Sequence, residues 1–241
     1  MSSRDLAIPP LRSPVEKGTS LTYHLPGMLA LAVDTSEPLG GVALYDGRGL
    51  AEERWMDEPL RHAERLFPLV EEILRGNGVS RDRIGLVCIN RGPGSFTGLR
   101  IGLAAVKGFC QPVGAALFGV DGAVAYRARI AGAKRVCVIV ASRRDLYYAQ
   151  FFGGSRPRGP MRLIRESELL EALRSELREV TLVGSGAPAI GDALRGHPMI
   201  RIAPEEANRP SALAIAELGW NEEPADRLYE VEPLYVEPLL A

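Results

Sequence analysis

The segment Gly92-Pro93-Gly94-Ser95-Phe96-Thr97-Gly98-Leu99-Arg100 is the most informative stretch of this 241-residue chain. It lies between the apolar runs RIGLVCIN (83–90) and LRIGLAAVKGFC (99–110), a pattern that predicts a strand, a glycine loop and a helix. The glycines allow the backbone to approach a neighbour closely, and Ser95 or Thr97 can cap the helix while its first N–H groups face outward. Such a turn can hold an anion, or it can be a purely structural tight turn.

The glycine loop does not match the common phosphate-binding or catalytic motifs. It is not a Walker A loop, because no Gly-Lys-Ser/Thr follows, and its glycine spacing differs from G-x-G-x-x-G. It is not a nucleophile elbow either, since Pro93 stands where G-x-S-x-G needs its first glycine. Phosphate binding and a structural turn therefore both stay open.

The segments upstream of the loop predict an α/β order. MLALAVDTS (28–36) is typical of a buried strand that ends in a polar turn, and GGVALYDGRGLAEERW (40–55) predicts a hairpin around Asp46-Gly47. Apolar residues then recur at helical spacing through HAERLFPLVEEILRGNG (62–78). Strand, hairpin, helix, strand, loop and helix in succession indicate an α/β fold.

The second half of the chain shows the same order of predicted elements. The strands RVCVIVAS, LYYAQFFGG and MRLIR are followed by the helix ESELLEALRSEL and the strand VTLVGSGA. A repeated order without repeated residues predicts two similarly folded lobes. We expect a flexible N-terminal tail over residues 1–27, a first lobe over 28–128 with the glycine loop and dimerisation helices, and a second lobe with a tail over 129–241.

Composition and charge exclude several classes of protein. The 29 Lys and Arg residues nearly balance the 30 Asp and Glu residues, so no net field attracts a polyanion from a distance. No run of about 18 apolar residues offers a membrane span, and we expect no contact with a membrane. The 3 cysteines are odd in number and lie in apolar runs, which suits reduced thiols and predicts a cytoplasmic protein.

The sequence resembles the TsaB (YeaZ) family through GPGSFTGLRIG (92–102), LAVDTS (31–36), RHAERLFPLVEEIL (61–74) and EPLYVEP (232–238). This resemblance implies an α/β fold of the actin/Hsp70 type (ASKHA), with two similar lobes of mixed β-sheets flanked by helices. It implies a non-catalytic scaffold that binds and activates the catalytic subunit TsaD, and with it the ATPase TsaE, in forming threonylcarbamoyladenosine in tRNA. It also implies a homodimer when the protein is alone, and contact with tRNA only through the complex.

The resemblance to ASKHA proteins suggests where a nucleotide would bind. Actin-like ATPases place a carboxylate where Asp34 lies, although an Asp at a strand end is also a common turn former. Gly184-Ser185-Gly186 resembles the adenosine-side glycine turn of the fold. Family members commonly have an Asp-Ala-Arg-like turn where this chain reads Val140-Ala141-Ser142-Arg143, which weakens the case for metal-ATP hydrolysis. The candidate nucleotide-binding residues are Asp34, Thr35, Gly94, Ser95, Thr97, Gly184 and Gly186.

The metal ligands of the catalytic paralogue are missing from this sequence. That paralogue holds its metal partly through a His-x-x-x-His pair on one helix face. The corresponding segment GVDGAVAYRARIAG (119–132) has no histidine, and His24, His62 and His197 are far apart in the chain. We therefore expect no metal, no catalytic residue and no tightly bound cofactor, while ATP or ADP at the partner interface stays open.

The two helices of the first lobe are the expected partner surface. In the second of them Gly102, Ala105 and Gly108 recur at i, i+3 and i+6, so another helix could approach closely, although the same stripe could pack on the protein's own sheet. The family resemblance favours a partner, because in that family these helices form a bundle with TsaD or a second copy. The expected interface residues are Leu66, Leu69, Ile73, Ile101, Gly102, Ala105 and Gly108.

Three functions compete for this sequence. The first is a binding subunit without turnover of its own, and the second is an independent ATPase or kinase of the same fold. The sequence lacks a complete set of acidic residues for binding phosphates and a metal, and no motif places a catalytic base. Both observations favour the binding subunit. The third is a peptidase, but the three scattered histidines form no Ser-His-Asp, Cys-His or H-E-x-x-H arrangement.

Overall fold

The structure, a computed structural model, describes residues 28–56, 58–222 and 228–236, so the predicted tail over 1–27 lies outside the described residues. The strands are β1 (Leu29–Asp34), β2 (Gly41–Tyr45), β3 (Ala51–Trp55), β4 (Ile84–Asn90), β5 (Ala116–Val120), β6 (Arg135–Ala141), β7 (Leu146–Gly153), β8 (Arg156–Pro157), β9 (Arg162–Arg165), β10 (Val180–Val183) and β11 (Ile200–Ile202). The helices are α1 (His62–Gly76), α2 (Phe96–Val113), α3 (Gly122–Ala128), α4 (Glu166–Arg174), α5 (Ala187–Ala193) and α6 (Ala212–Trp220).

The first sheet has 5 strands in the order β3-β2-β1-β4-β5. β1, β2 and β3 form an antiparallel meander, whereas β4 runs parallel to both β1 and β5. The predicted hairpin is confirmed. One carboxylate oxygen of Asp46 accepts hydrogen bonds from the N–H groups of Arg48, Gly49 and Leu50 at 2.8 to 2.9 Å, which closes the turn between β2 and β3.

The second sheet repeats this arrangement. β7 is antiparallel to both β6 and β9, while β10 runs parallel to β6 and β11. The resulting order β9-β7-β6-β10-β11 corresponds to β3-β2-β1-β4-β5, and the two-residue β8 is an addition beside β7. The predicted fold of two similar lobes, of the actin/Hsp70-like kind, is thus confirmed.

Helices cover the outer face of each sheet because their apolar residues recur every three or four positions. Leu66, Leu69 and Ile73 of α1 are buried with Leu103 and Val106 of α2 against the first sheet. On the second sheet, α4 and α5 bury their apolar stripes in the same way. Each lobe therefore has its own hydrophobic core.

The last helix returns to the first lobe, although the sequence places it in the range 129–241. α6 packs on β1, β2 and β4, where small side chains such as Ala30 and Ala32 leave room for a close helix. Glu53 of β3 holds the start of α6, since its carboxylate accepts from Ser211 Oγ and the Leu213 N–H at 3.2 Å each. The predicted boundary at residue 128 is the residue at which α3 ends, and α6 lies on the first sheet although it follows the second sheet along the chain.

Candidate functional site: the cleft and the first-lobe helices

The glycine loop joins β4 to α2 and lies against the turn that follows β1. The N–H of Ser95 donates to the Ser36 carbonyl oxygen at 2.6 Å, and a Cβ on Gly94 would overlap that carbonyl group. Ser95 also caps α2, because its Oγ accepts a hydrogen bond from the Gly98 N–H at 3.1 Å. The loop glycine therefore allows two backbone segments of the first lobe to meet.

The first turns of α2 contact Thr35 with no side chain in between. A Cβ on Gly98 would overlap the Thr35 carbonyl oxygen, and a Cβ on Gly102 would overlap Thr35 Oγ1. Thr35 Oγ1 donates in return to the Gly98 carbonyl oxygen at 2.8 Å. Gly102, one of the residues expected at the partner interface, is buried where α2 meets the turn after β1.

Asp34 lies at the end of β1 and is 2% exposed. Its Oδ1 accepts from the Ser36 N–H at 2.9 Å and from Ser36 Oγ at 2.6 Å, and its Oδ2 accepts from Asn90 Nδ2 at 2.9 Å. Asn90 Oδ1 accepts in turn from the Gly92 N–H at 2.8 Å. The carboxylate thus connects the ends of β1 and β4 to the glycine loop.

Glu37 of the first lobe reaches Tyr126 of α3, a helix that packs against β6 of the second sheet. The Tyr126 hydroxyl donates to Glu37 Oε1 at 2.5 Å, and the Ser185 side chain of the second lobe lies near the carboxyl group. Burial raises the pKa of Glu37 to about 7; the Ser185 and Tyr126 side chains oppose this rise, and the nearby Asp34 adds to it. A buried carboxyl group that is readily protonated near neutral pH therefore fills the space between the lobes.

The Gly184-Ser185-Gly186 turn is also packed against protein. A Cβ on Gly184 would overlap the Ile139 carbonyl oxygen, and one on Gly186 would lie 2.7 Å from the Tyr147 ring. Ser185 Oγ accepts a hydrogen bond from the Ala141 N–H at 3.1 Å. The turn lies directly on β6 and β7.

The candidate nucleotide residues lie in different environments. Gly94 and Ser95 are half-buried, and Thr97 is exposed on α2. The others are buried, namely Asp34, Thr35, Gly184 and Gly186. Protein atoms of the same lobe already contact the buried residues.

Most of the residues predicted for the partner interface lie on the sides of α1 and α2 that face the first sheet. Leu66, Leu69 and Ile73 are buried in the first-lobe core, so an interface would have to use other side chains of α1. Ile101 and Ala105 are half-buried at the edge of α2. Gly108 alone of the seven is exposed, and a Cβ there would meet nothing within 4 Å.

The outer surface of these helices is formed by residues that the sequence patterns do not single out. Ala104 and Gly108 are exposed one helical turn apart on α2, and Phe67 of α1 is 45% exposed. The sequence does mark one of these residues, because Phe67 is a large apolar residue on the otherwise polar side of α1.

One end of α2 forms a groove with the segment 232–235. Arg100 lies over the Phe96 ring at 3.8 Å from its centroid, and its Nε donates to the Tyr235 hydroxyl at 2.9 Å. The groove has a volume of about 420 Å³. It is lined by Arg100, Leu103, Ala104, Lys107, Glu232, Pro233 and Tyr235.

Comparison with known proteins identifies the family. A family model described as TsaD: tRNA N6-adenosine threonylcarbamoyltransferase matches residues 59–156. The tRNA threonylcarbamoyladenosine biosynthesis protein TsaB of Escherichia coli is 32% identical over 128 residues, which are 52% of this chain and 55% of that protein. An uncharacterized protein of Mycobacterium tuberculosis is 30% identical over 209 residues, which are 86% of this chain and 90% of that protein. The chain belongs to the TsaB (YeaZ) family.

Solved structures agree with the fold of a TsaB-family chain. YeaZ from Pseudomonas aeruginosa matches with a TM-score of 0.71 and 24% identity, covering 87% of this chain and 100% of that chain. The ethanolamine utilization protein EutJ of Carboxydothermus hydrogenoformans matches with a TM-score of 0.51 and 12% identity, covering 80% of this chain and 90% of that chain. These two likenesses concern the fold alone.

The TsaB-family chain places its described histidines in unrelated surroundings. His62 is buried at the start of α1, where burial lowers its pKa and its Nε2 has no partner among the described residues. His197 contacts the Arg174 carbonyl oxygen at 3.3 Å in the second lobe. Within residues 28–56, 58–222 and 228–236, no three His, Cys, Asp or Glu side chains are grouped so that they could hold a metal ion.

None of the helices in the described part of the chain combines the length and the apolar character that crossing a membrane requires.

Proposed function

We propose that this chain is the non-catalytic subunit of the machinery that forms threonylcarbamoyladenosine in tRNA, and that it acts by binding the catalytic subunit TsaD, with TsaE joining the pair. Alone it forms a homodimer in the cytoplasm, and it supports tRNA modification only within the complex. Family membership and the relatives' names support the pathway. The state of the cleft between the lobes supports the non-catalytic role.

The observation that carries the proposal is that the cleft is closed by the protein's own side chains. Glu37 reaches Tyr126 and Ser185 across the cleft, and Asp34 is 2% exposed within a network of first-lobe groups. An enzyme of this fold needs a carboxylate that faces the phosphates of a nucleotide. Opening this cleft would exchange the contacts of Glu37 with the opposite wall for water, and a hydrogen bond of this kind contributes about 0.5 to 1.5 kcal/mol net.

We therefore propose that the isolated chain holds no nucleotide or other cofactor tightly. ATP or ADP would bind, if at all, at the interface with the partner. The runner-up function, an independent ATPase or kinase, requires instead that the isolated chain bind and hydrolyse ATP. Equilibrium dialysis with ATP and a phosphate-release assay on the isolated chain distinguish these two functions directly.

The proposed partner surface consists of the exposed stripe of α2 and the exposed Phe67 of α1. Ala104 and Gly108 expose no large side chain, so the backbone of a partner helix can approach α2 closely. Phe67 and Phe96 are 45% and 54% exposed, and they supply apolar area that a partner would remove from water. Apolar contacts around a small-residue seam are typical of tightly packed helix pairs.

The test uses one charged substitution on this surface and a matched control. Ala104→Glu should abolish recovery of TsaD with the tagged chain and should remove tRNA modification from a reconstituted mixture. Leu177→Glu places the same charge at a residue that is 89% exposed in the second lobe, and it should leave both readouts intact. Circular dichroism should show both variants folded. Normal TsaD binding and activity with Ala104→Glu would show that the surface is wrong, and hydrolysis of ATP by the isolated chain would show that the function is wrong.

A further inference from the structure

Basic residues are concentrated in one part of the second lobe although the whole chain has a formal net charge of −1. Between residues 134 and 165 the sequence has 8 Lys and Arg residues and a single acidic residue, Asp145. Six of these basic residues are arginines with exposed side chains that lie on or beside the strands β7, β8 and β9. We call them the arginine ridge: Arg143, Arg144, Arg156, Arg158, Arg162 and Arg165.

Arginines elsewhere in the described chain commonly pair with a carboxylate. Ion pairs join Arg81 to Glu71, Arg195 to Asp192 and Arg209 to Glu205. Further ion pairs involve Arg54, Arg61, Arg135 and Arg201. Among the described residues, no ridge arginine makes an ion pair or a side-chain hydrogen bond, so these guanidinium groups keep all of their donors for a ligand.

The ridge follows the edge of the second sheet. Arg165 lies opposite Leu146, Arg162 opposite Ala149, and Arg156 opposite Gly153 in the register of β7. At about 3.3 Å per residue, the positions opposite β7 extend over roughly 23 Å, and the turn with Arg143 and Arg144 continues the row at one end. Arg156 and Arg162 share one face of the sheet and Arg165 points to the other, so an RNA backbone that follows the edge meets arginines from both sides. The charge of a duplex recurs every few ångströms along its axis, and several phosphates can therefore be contacted along this edge.

Protection of the sheet edge is the simpler explanation for charges at this place. Charged residues on an edge strand prevent pairing with other chains, and one or two per strand are enough for that purpose. Edge protection does not explain Arg143 and Arg144, which lie in the turn between β6 and β7 rather than on the edge strand. Edge protection also leaves unexplained why none of the six arginines pairs with a carboxylate, although Glu166 and Glu168 lie at the start of the adjoining α4.

We propose that the arginine ridge binds the phosphate backbone of structured RNA, so that this subunit supplies part of the RNA-binding surface of the complex. The inference rests on the proposed function, which makes a tRNA the nearby polyanion, and it replaces the expectation that this chain contacts tRNA only through the complex. Guanidinium groups suit this ligand because they bind phosphate oxygens in a bidentate manner. Contacts to the backbone position an RNA without reading its sequence, and the ridge therefore binds tRNAs of different sequence about equally.

The experiment measures binding of an in-vitro-transcribed tRNA to the isolated full-length chain by fluorescence anisotropy, over about 50 to 200 mM salt. The triple variant Arg158→Gln/Arg162→Gln/Arg165→Gln should bind at least about tenfold more weakly at the lowest salt, and its log–log salt slope should be smaller by about 3. The control is Arg81→Gln/Arg195→Gln/Arg209→Gln, which makes the same change in net charge at exposed, ion-paired arginines. It should change affinity less than about twofold.

A second variant, Arg143→Gln/Arg144→Gln, tests the turn independently of the edge strand, and its salt slope should fall by about 2. Equal losses in the ridge and control variants, or no measurable binding by the unsubstituted chain, would overturn the inference. Recovery of TsaD is measured on the same variants. If the ridge variants recover TsaD normally and bind RNA as well as the unsubstituted chain does, RNA binding by the ridge is refuted and the proposed function stands. If RNA binding depends on the ridge but the unsubstituted chain does not recover TsaD, the proposed function is refuted and RNA binding by the ridge stands.

Discussion

Replacement of Glu37 by Gln is expected to stabilise the protein above neutral pH and to change little at acidic pH. Burial raises the pKa of Glu37 from its ordinary value of 4.5 to about 7, so the folded state holds this proton more tightly than the unfolded state does. The stabilisation is complete below about pH 4.5 and is lost as the pH rises through 7. Gln resembles the protonated form, and its carbonyl oxygen can still accept from the Tyr126 hydroxyl.

The magnitude follows from the size of the pKa shift. A rise from 4.5 to about 7 corresponds to roughly 3 kcal/mol of unfolding free energy, at 1.36 kcal/mol per pKa unit. The advantage of Glu37→Gln over the unsubstituted protein should therefore grow by roughly this amount between pH 4.5 and pH 8. Other ionisable groups that face the same site are present in both proteins: Asp34, His62, Tyr126 and Arg129.

Urea denaturation of both proteins across this pH range measures the difference. Glu222→Gln, at an exposed position, is the control and should show a flat difference within about 0.5 kcal/mol. A flat difference for Glu37→Gln would refute the reasoning that this carboxyl group is buried and readily protonated. An advantage that shrinks as the pH rises would show that Glu37 is charged and stabilised in the folded protein.

Three further predictions concern the first-lobe helix and the thiols. Gly102→Ala should lower the unfolding free energy by about 1 to 3 kcal/mol because its Cβ would overlap Thr35 Oγ1. Gly108→Ala should raise it by about 0.5 to 1 kcal/mol because its Cβ meets open space. Thermal denaturation compares the two variants, and equal effects would contradict the packing of α2. Ser95→Ala should cost about 1 kcal/mol of stability through loss of the helix cap but leave tRNA modification with TsaD largely intact, and an inactive variant with normal TsaD binding would point to chemistry in the loop. Burial raises the pKa of the Cys110 thiol to about 12, and it also raises the pKa values of the buried Cys88 and Cys137 thiols. A thiol reagent at pH 8 should therefore label none of the three before the protein unfolds. Rapid labelling of the native protein would contradict their burial.

Local patterns were sufficient for the elements that have one polar and one apolar side. The alternation around Asp46-Gly47 predicts the β2–β3 hairpin, and the helical spacing of Leu66, Leu69 and Ile73 predicts α1. The patterns above do not predict α6, because ALAIAELGW is apolar on nearly every side. Such a helix has no stripe to detect, since it is buried in the first lobe.

The same spacing that predicts a helix does not say what its apolar face contacts. Leu66, Leu69 and Gly102 fit a partner interface and an internal core equally well, and only the folded chain shows that they are internal. Gly102 decides the matter at one position, because it adjoins Thr35, which is 67 residues away along the chain. Gly108, six residues further along the same helix, faces open space.

The amino-acid sequence alone determined the order of strands and helices, the duplication of that order and the family. It could do so because periodicity, turn residues and the glycine loop are local properties of the chain. Closure of the cleft was decided only by tertiary structure. Glu37, Tyr126 and Ser185 carry no recognisable spacing, and their meeting depends on how the two lobes pack. The burial that raises the pKa of Glu37 arises in the same way, since a carboxyl group loses its water only when both lobes enclose it.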